Sequence, residues 1–128
     1  MTKEDKELLL RDLCSRLPYR VKVITRYQAI DEPIQLKYID CCQGTYAVGG
    51  ESAIISGIPF DNYLCKPYLF PMSNMTEEQT NEYLETCFGQ NPHFPSLASY
   101  DWLNKNHFDY RGLIPKGLAI DATGLNIY

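Results

Sequence analysis

The segment "YDWLNKNHFDYRGLI" at residues 100–114 concentrates side chains that could do chemistry. It holds the only tryptophan of the sequence, one of two histidines, two aspartates and an arginine. In cysteine hydrolases a histidine acts as the general base, a carboxylate orients it, and a thiol is the nucleophile. Here His107 would be the base, Asp109 or Asp101 the orienting carboxylate, and Cys65 the candidate nucleophile.

The same segment has an architectural interpretation. Trp102 and Phe108 would dock on a sheet, Arg111 would pair with an aspartate, and Gly112 would turn the chain. Buried polar groups usually satisfy the hydrogen bonds of the fold. The residue types of the segment therefore favour architecture over catalysis.

The five cysteines support the same conclusion. Their odd number and irregular spacing exclude a complete disulfide framework and predict reduced thiols. No nucleophile signature surrounds any of them, and Cys14 and Cys87 fall on predicted apolar helix faces, where thiols are inert. We predict a chain without catalytic residues. A small hydrolase that uses a cysteine with His107 or His93 is the alternative.

The spacing of the candidate ligands also disfavours a metal or cofactor. Structural zinc uses ligand pairs two to four residues apart, and the sequence has no such Cys or His pair. Cys41 and Cys42 are adjacent, so in a strand they point to opposite faces. The glycines of "QGTYAVGGES" are not followed by the lysine and hydroxyl of a phosphate loop. We predict neither a metal site nor a cofactor.

Local patterns predict three helices. The first runs from Thr2 to about Leu17 and is stopped by Pro18. Its apolar face would comprise Leu9, Leu10, Leu13, Cys14 and Leu17. The second begins with a capping box at Thr76 and Gln79, and its apolar stripe would comprise Tyr83, Leu84, Cys87 and Phe88. The third is capped by Ser96 and would bury Leu97, Tyr100, Leu103 and His107.

Between the first two helices the apolar period changes to alternation. Val21 and Val23 would face inward and Arg20, Lys22 and Arg26 outward. Further alternating stretches follow up to "SAIIS", and their short connections favour antiparallel pairing. The segment 58–74 contains three prolines and predicts an extended surface linker with one edge strand near Tyr63.

These elements predict one α+β domain over residues 1–128. A small antiparallel sheet from residues 19 to 66, with a barrel-like closure as a variant, would be flanked by the N-terminal helix and two C-terminal helices.

Charge and hydropathy narrow the class of partner. The net charge is -4, with eight Lys/Arg against six Asp/Glu in residues 1–38 and four against ten afterwards. This acidic balance disfavours nucleic acid as a partner. The charged start "MTKEDKELLLRDL" lacks the apolar core of a secretory signal, and no later stretch is long enough to span a bilayer. We expect a soluble, cytoplasmic protein.

Two surfaces are candidate binding sites. Ten tyrosines predict a contact surface on the proline-rich linker and the C-terminal region, because tyrosine is enriched at interfaces. Its members would be Tyr63, Tyr68 and Tyr110. The second surface is the basic strand face of Arg20, Lys22 and Arg26, which could meet nucleic acid or an acidic partner.

Two motifs carry a resemblance. "KPYLFPMSNMTEEQ" and "YDWLNKNHFDYRGLIPKGLAI" resemble the "PYLRPMSSMTEEE" and "DWLNKHHFDYRGLIEKGLALEA" motifs of small uncharacterised proteins from phage-like and mobile elements of gut Bacteroidales. The resemblance implies association with a mobile element and carries over no catalytic residue. The sequence departs from these motifs at Phe70, where arginine is frequent, and at Pro115, where glutamate is frequent. A salt bridge made by either family residue would be missing here.

Together these observations predict a non-catalytic interaction or accessory protein that binds a protein partner in the cytoplasm. The small cysteine–histidine hydrolase is the first alternative, and a weak nucleic-acid-binding module on the basic strand face is the second.

Overall fold

The computed structural model describes residues 2–25, 33–42, 45–49, 58–59 and 65–128. Its α-helices are α1 (Lys3–Arg16), α2 (Glu77–Thr86) and α3 (Leu97–Lys105). Its strands are β1 (Lys22–Thr25), β2 (Ile34–Gln35), β3 (Tyr38–Cys42), β4 (Thr45–Gly49), β5 (Ile58–Pro59), β6 (Cys65–Pro71), β7 (Phe108–Asp109) and β8 (Ile120–Asp121). Short 3-10 helices cover Leu17–Tyr19, Met72–Asn74 and Phe88–Gln90. This order of elements confirms the α+β class.

The main sheet has five strands and is mixed. Strand β6 pairs antiparallel with β1, which pairs antiparallel with β2, whereas β7 and β8 pair with β6 in parallel. Strands β3, β4 and β5 form a separate antiparallel sheet. The predicted antiparallel pairing is therefore correct for the earlier strands but omits the two parallel pairs. The strands of the described residues do not close into a barrel, so that variant was wrong.

The predicted surface linker is wrong, because its second half is the central strand of the main sheet. Cys65, Pro67, Tyr68 and Leu69 of β6 are buried. Proline cannot donate to a ladder and is normally confined to edges. Each neighbour of β6 pairs with only two or three of its residues. Pro67 is the last register partner of β1, opposite Val23, and Pro71 is the last register partner of β7, opposite Asp109. Each missing amide hydrogen therefore falls where a ladder ends.

Helix α1 packs its leucines into the main core. Leu9 and Leu13 are fully buried, and Thr2 caps the helix by accepting a hydrogen bond from the Asp5 backbone at 3.0 Å. The core cluster comprises Leu9, Leu13, Val21, Val23, Leu36, Cys65, Leu69, Leu113, Leu118 and Ala119. Cys14 is exposed, so its predicted place on the buried face was wrong. Burial of Val21 and Val23 agrees with the predicted inward face of β1.

The capping boxes of α2 and α3 are both present at the predicted residues, Thr76 and Ser96. The predicted apolar stripes are only partly correct. Helix α2 ends at Thr86, so Phe88 lies beyond it and is 68% exposed. In α3, Leu97 is exposed while Leu103 is buried. None of the helices in the described ranges combines the length and apolar character needed to cross a bilayer.

A second core cluster joins α2, α3 and β7. It comprises Tyr83, Cys87, Leu103 and Phe108, with Phe70, Met75, Trp102 and Tyr110 packed against it. Trp102 stacks on Phe108, with ring centroids 5.7 Å apart and planes 6° from parallel. Trp102 is therefore a half-buried residue that packs against this cluster. The strand predicted at "SAIIS" and the edge strand near Tyr63 fall outside the described residues.

Candidate functional site

Asp12 of α1 binds the 100–114 segment through a buried ion cluster. Its Oδ2 accepts from Arg16 Nε at 2.9 Å, and its Oδ1 accepts from Arg111 Nη1 at 2.9 Å. Arg16 Nη2 donates to the Phe108 carbonyl oxygen at 2.6 Å. Asp12 and Arg16 are fully buried. The pairing that the sequence predicted for Arg111 is thus present, and it fixes α1 to β7.

Tyr110 lies beside both arginines of this cluster. The centre of its ring is 5.4 Å from the Arg16 guanidinium carbon and 4.6 Å from that of Arg111. Its hydroxyl donates to Asn104 Oδ1 at 3.0 Å. A cation over an aromatic ring is stabilised by the electrons of the ring face. Tyr110, predicted as a binding residue, is therefore engaged within the protein.

Asp109 is engaged with the backbone instead of with histidine. Its Oδ1 accepts from the Leu113 amide and its Oδ2 from the Ile114 amide, both at 2.9 Å. Its side chain is buried. Each hydrogen bond therefore satisfies a backbone amide that would otherwise lack a partner. The carboxylate thus holds the turn that follows β7.

His107 is buried against an aromatic ring. Its imidazole stacks on Tyr128 with ring centroids 3.7 Å apart, and its backbone has a φ of 63°. Its Nδ1 has no hydrogen-bond partner among the described residues. The pKa of His107 is lowered to about 4, mainly because the imidazole is buried and to a smaller extent because the positive charge of Arg16 is near. The imidazole is neutral near pH 7, but no carboxylate orients it.

Cys65 lies in the main core and is fully buried. Burial raises the pKa of its thiol to about 12. Within the described ranges, no hydrogen bond joins Cys65, His107 and Asp109, and no group of three His, Cys, Asp or Glu side chains is arranged to hold a metal ion. Cys65, His107 and Asp109 are therefore not assembled into the nucleophile, base and orienting carboxylate of a hydrolase.

Of the other five predicted binding residues, one is buried, two lie in or just before β1, and two fall outside the described residues. Tyr68 is 5% exposed, so it presents no surface to a partner. Its carbonyl oxygen accepts from the Tyr128 hydroxyl, which also accepts from the Lys22 amide. Arg20 is exposed and Lys22 is half-buried. Tyr63 and Arg26 lie outside the described residues, as do the side chains of Cys41 and Cys42.

Sequence reasoning missed an exposed apolar cluster between α2 and α3, which we call the apolar knuckle: Phe88, Phe94 and Leu97. Their side chains are 68%, 60% and 85% exposed, respectively. The Phe88 amide donates to the Phe94 carbonyl oxygen at 2.9 Å, which brings the backbones of the two phenylalanines together. Phe94 stands between two prolines in "NPHFP", and this was the available signal.

Two serines hold both ends of the knuckle together. The hydroxyls of Ser96 and Ser99 donate to the Thr86 carbonyl oxygen at 2.6 and 3.0 Å. The last carbonyls of a helix lack partners within the helix, so this arrangement caps α2 while it anchors α3. The start of α3 is thereby fixed beside the end of α2, and Leu97, the first residue of α3, is exposed there.

The part of the chain that carries the knuckle is acidic. Residues 67–104 contain five acidic residues and no lysine or arginine. All five acidic side chains are exposed: Glu77, Glu78, Glu82, Glu85 and Asp101. A surface of one sign attracts partners of the other and repels phosphate backbones.

No protein family, no curated protein and no solved structure shows significant similarity to the chain. The resemblance to small proteins of mobile elements stays a prediction.

We expect Asp12→Ala to lower the free energy of unfolding by about 3–5 kcal/mol, because it leaves the buried Arg16 charge without its carboxylate. Glu7→Ala, an exposed change on the same helix, should change it by less than about 0.5 kcal/mol. Urea denaturation measures both. Equal effects of the two substitutions would contradict the central role of Asp12.

We expect His107 to make stability depend on pH. The pKa of His107 is about 4 in the folded chain, whereas the ordinary value is 6.5. Its contribution to the free energy of unfolding is therefore complete above pH 6.5 and is lost as the pH falls to about 4. The stability difference between the native protein and His107→Gln should change over this window in urea titrations. A constant difference would show that the pKa is not depressed.

We expect Cys65 to react with a thiol reagent at least about 100-fold more slowly than exposed Cys14, because only the thiolate is nucleophilic. Mass spectrometry of the labelled native protein locates each modified cysteine. His107→Gln should leave the Cys65 rate unchanged. A fast Cys65 that slows in this variant would support the hydrolase alternative instead.

Proposed function

We propose that the protein is a non-catalytic interaction or accessory protein whose apolar knuckle binds a partner protein. The observation that carries the proposal is the exposure of Phe88, Phe94 and Leu97 on a backbone held by hydrogen bonds. Single exposed apolar residues are ordinary, but a contiguous exposed apolar cluster is typical of a binding surface.

The rigidity of the knuckle favours binding. The Asn91 amide donates to the Phe88 carbonyl oxygen at 3.1 Å, and the Phe94 amide donates to the Asn91 carbonyl oxygen at 3.0 Å. The His93 amide donates to Asn91 Oδ1 at 2.9 Å. A loop that is ordered before association loses less conformational entropy when a partner binds. The two rings can therefore act as preformed anchors for a partner pocket.

The acidic surroundings define the chemistry of the partner. A complementary surface has an apolar pocket for the knuckle and lysine or arginine at its rim. A symmetric dimer through the knuckle would bring two copies of the acidic helices α2 and α3 near each other, which repulsion disfavours. The same charges disfavour nucleic acid at this surface. We therefore commit to a basic partner protein over a second copy of the chain.

We also propose that the protein acts in the cytoplasm and is associated with a mobile element. Cys14, Cys65 and Cys87 are free thiols, as is typical of proteins in reducing compartments. Association with a mobile element is supported by the resemblance of the two sequence motifs.

A random peptide-display library tests the proposal. Selection on the native protein, with counter-selection on the triple variant Phe88→Ser, Phe94→Ser, Leu97→Ser, should enrich peptides that combine Lys or Arg with large apolar residues. Fluorescence titration of one enriched peptide should give a Kd at least about 100-fold weaker for the triple variant. Added salt should weaken native binding.

Leu125→Ser is the matched control, because Leu125 is 50% exposed and lies outside the knuckle. It should bind the peptide like the native protein. The triple variant should keep the native urea midpoint, since its side chains are exposed. Failure to enrich any peptide that discriminates against the triple variant would refute the knuckle as a binding site. A dimer of the native chain that the triple variant abolishes would replace the partner protein with a second copy.

A further inference from the structure

A second candidate site lies away from the knuckle, where several segments surround a cleft of about 210 Å³. The cleft is lined by Phe70, Asn74, Gln79, Asn106, Phe108, Thr123 and Gly124. These residues come from the end of β6, the following 3-10 turn, the first turns of α2, the loop before β7 and the turn after β8. The cleft exists only because the chain brings these distant segments together.

Aromatic rings form the apolar part of the cleft. Phe70 and Phe108 are register partners of β6 and β7, and their ring centroids are 6.1 Å apart. Phe108 is 2% exposed and is held by its stack on Trp102. Fixed aromatic surfaces favour flat rings, which pack against them by stacking or by edge-to-face contact.

The polar lining consists of side-chain amides and one hydroxyl. Gln79 Oε1 accepts from the Thr76 amide at 3.0 Å, and Asn106 Nδ2 donates to the Trp102 carbonyl oxygen at 2.9 Å. Asn74 Nδ2 donates to Thr123 Oγ1. Each of these bonds fixes which end of the amide is nitrogen and which is oxygen.

The opposite end of each amide has no hydrogen-bond partner among the described residues. Gln79 Nε2 is therefore an available donor, and the Oδ1 atoms of Asn74 and Asn106 are available acceptors. No residue of the lining carries a charge. An ion would lose hydration there without gaining an opposite charge, so the lining suits a neutral ligand. The volume is below that of ordinary drug-sized pockets, so the ligand is small.

We propose that this cleft binds a small, flat, uncharged cyclic amide or ureide, the chemistry of a free pyrimidine base. Such a ring presents N–H donors to Asn74 and Asn106 and a carbonyl acceptor to Gln79, while its face contacts Phe70, which Phe108 supports from behind. A phosphorylated form is disfavoured because the lining supplies no cation. The proposal is independent of the knuckle, which shares no residue with the cleft.

Uracil is the probe that tests the proposal. NMR titration of the full chain with uracil should give saturable shifts of the Gln79 side-chain amide and the Phe108 backbone amide. 1,3-Dimethyluracil has the same ring but no N–H donor, and it should bind about tenfold more weakly or worse. Uridine monophosphate differs from uridine only by its charged phosphate, and it should bind more weakly than uridine.

Gln79→Glu is the informative variant. It keeps the oxygen that accepts from Thr76, because glutamate serves equally in a capping box, and replaces only the free amide nitrogen. Uracil affinity should fall at least about tenfold. Gln90→Glu adds the same charge at an exposed position outside the cleft, and it should leave uracil affinity unchanged.

Several outcomes would overturn the proposal. The absence of saturable shifts with uracil would show that the cleft does not bind this class of ring. Equal binding of 1,3-dimethyluracil would show that the amides do not recognise the ligand. Uridine monophosphate binding as tightly as uridine would refute the requirement for an uncharged ligand, and an equal loss in Gln90→Glu would assign the effect of Gln79→Glu to net charge.

Discussion

The pairing of one buried carboxylate with two arginines is the constraint on which the rest of the structure depends. Asp12 is fully buried and binds Arg16 and Arg111, while Arg16 also binds the Phe108 carbonyl oxygen. Removing one member of such a cluster leaves an uncompensated charge in a medium of low polarity. Helix α1 and strand β7 therefore have to assemble together, and the turn that carries Arg111 has to follow them.

This constraint explains why most of the polar and aromatic side chains of residues 100–114 are engaged within the protein. Arg111 neutralises Asp12, Asp109 satisfies two backbone amides, and the ring of Trp102 stacks on Phe108. A catalytic group needs an atom that is free to meet a substrate. The surfaces that do keep free groups lie at the edges of this assembly, in the apolar knuckle and in the amide-lined cleft. Both depend on it for rigidity, because Leu103 and Phe108 in the second core cluster support α3 and β7.

The structure also explains which parts of the site could be predicted. The sequence predicted that Arg111 pairs with an aspartate, because a charged residue among aromatic ones needs a partner when it is buried. The identity of the partner was not, because Asp12 and Arg111 are 99 residues apart. The knuckle was missed for a related reason. The apolar residues Phe88 and Leu97 fit helical stripes in the sequence, and only the end of α2 at Thr86 and the serine anchors of α3 place them outside the core.

The sequence by itself determined the features that depend on neighbours within about four residues: the caps at Thr2, Thr76 and Ser96, the inward alternation of Val21 and Val23, and through them the α+β class. Hydrogen bonds and side-chain periodicity at that range are local, so the sequence pattern expresses them directly. Only the tertiary structure decided that the proline-containing segment Cys65–Pro71 is a central strand, that β7 and β8 join it in parallel, and which helix faces are buried. Those outcomes depend on pairings between residues far apart in the chain, whose free energy comes from burial and charge neutralisation that no local pattern records.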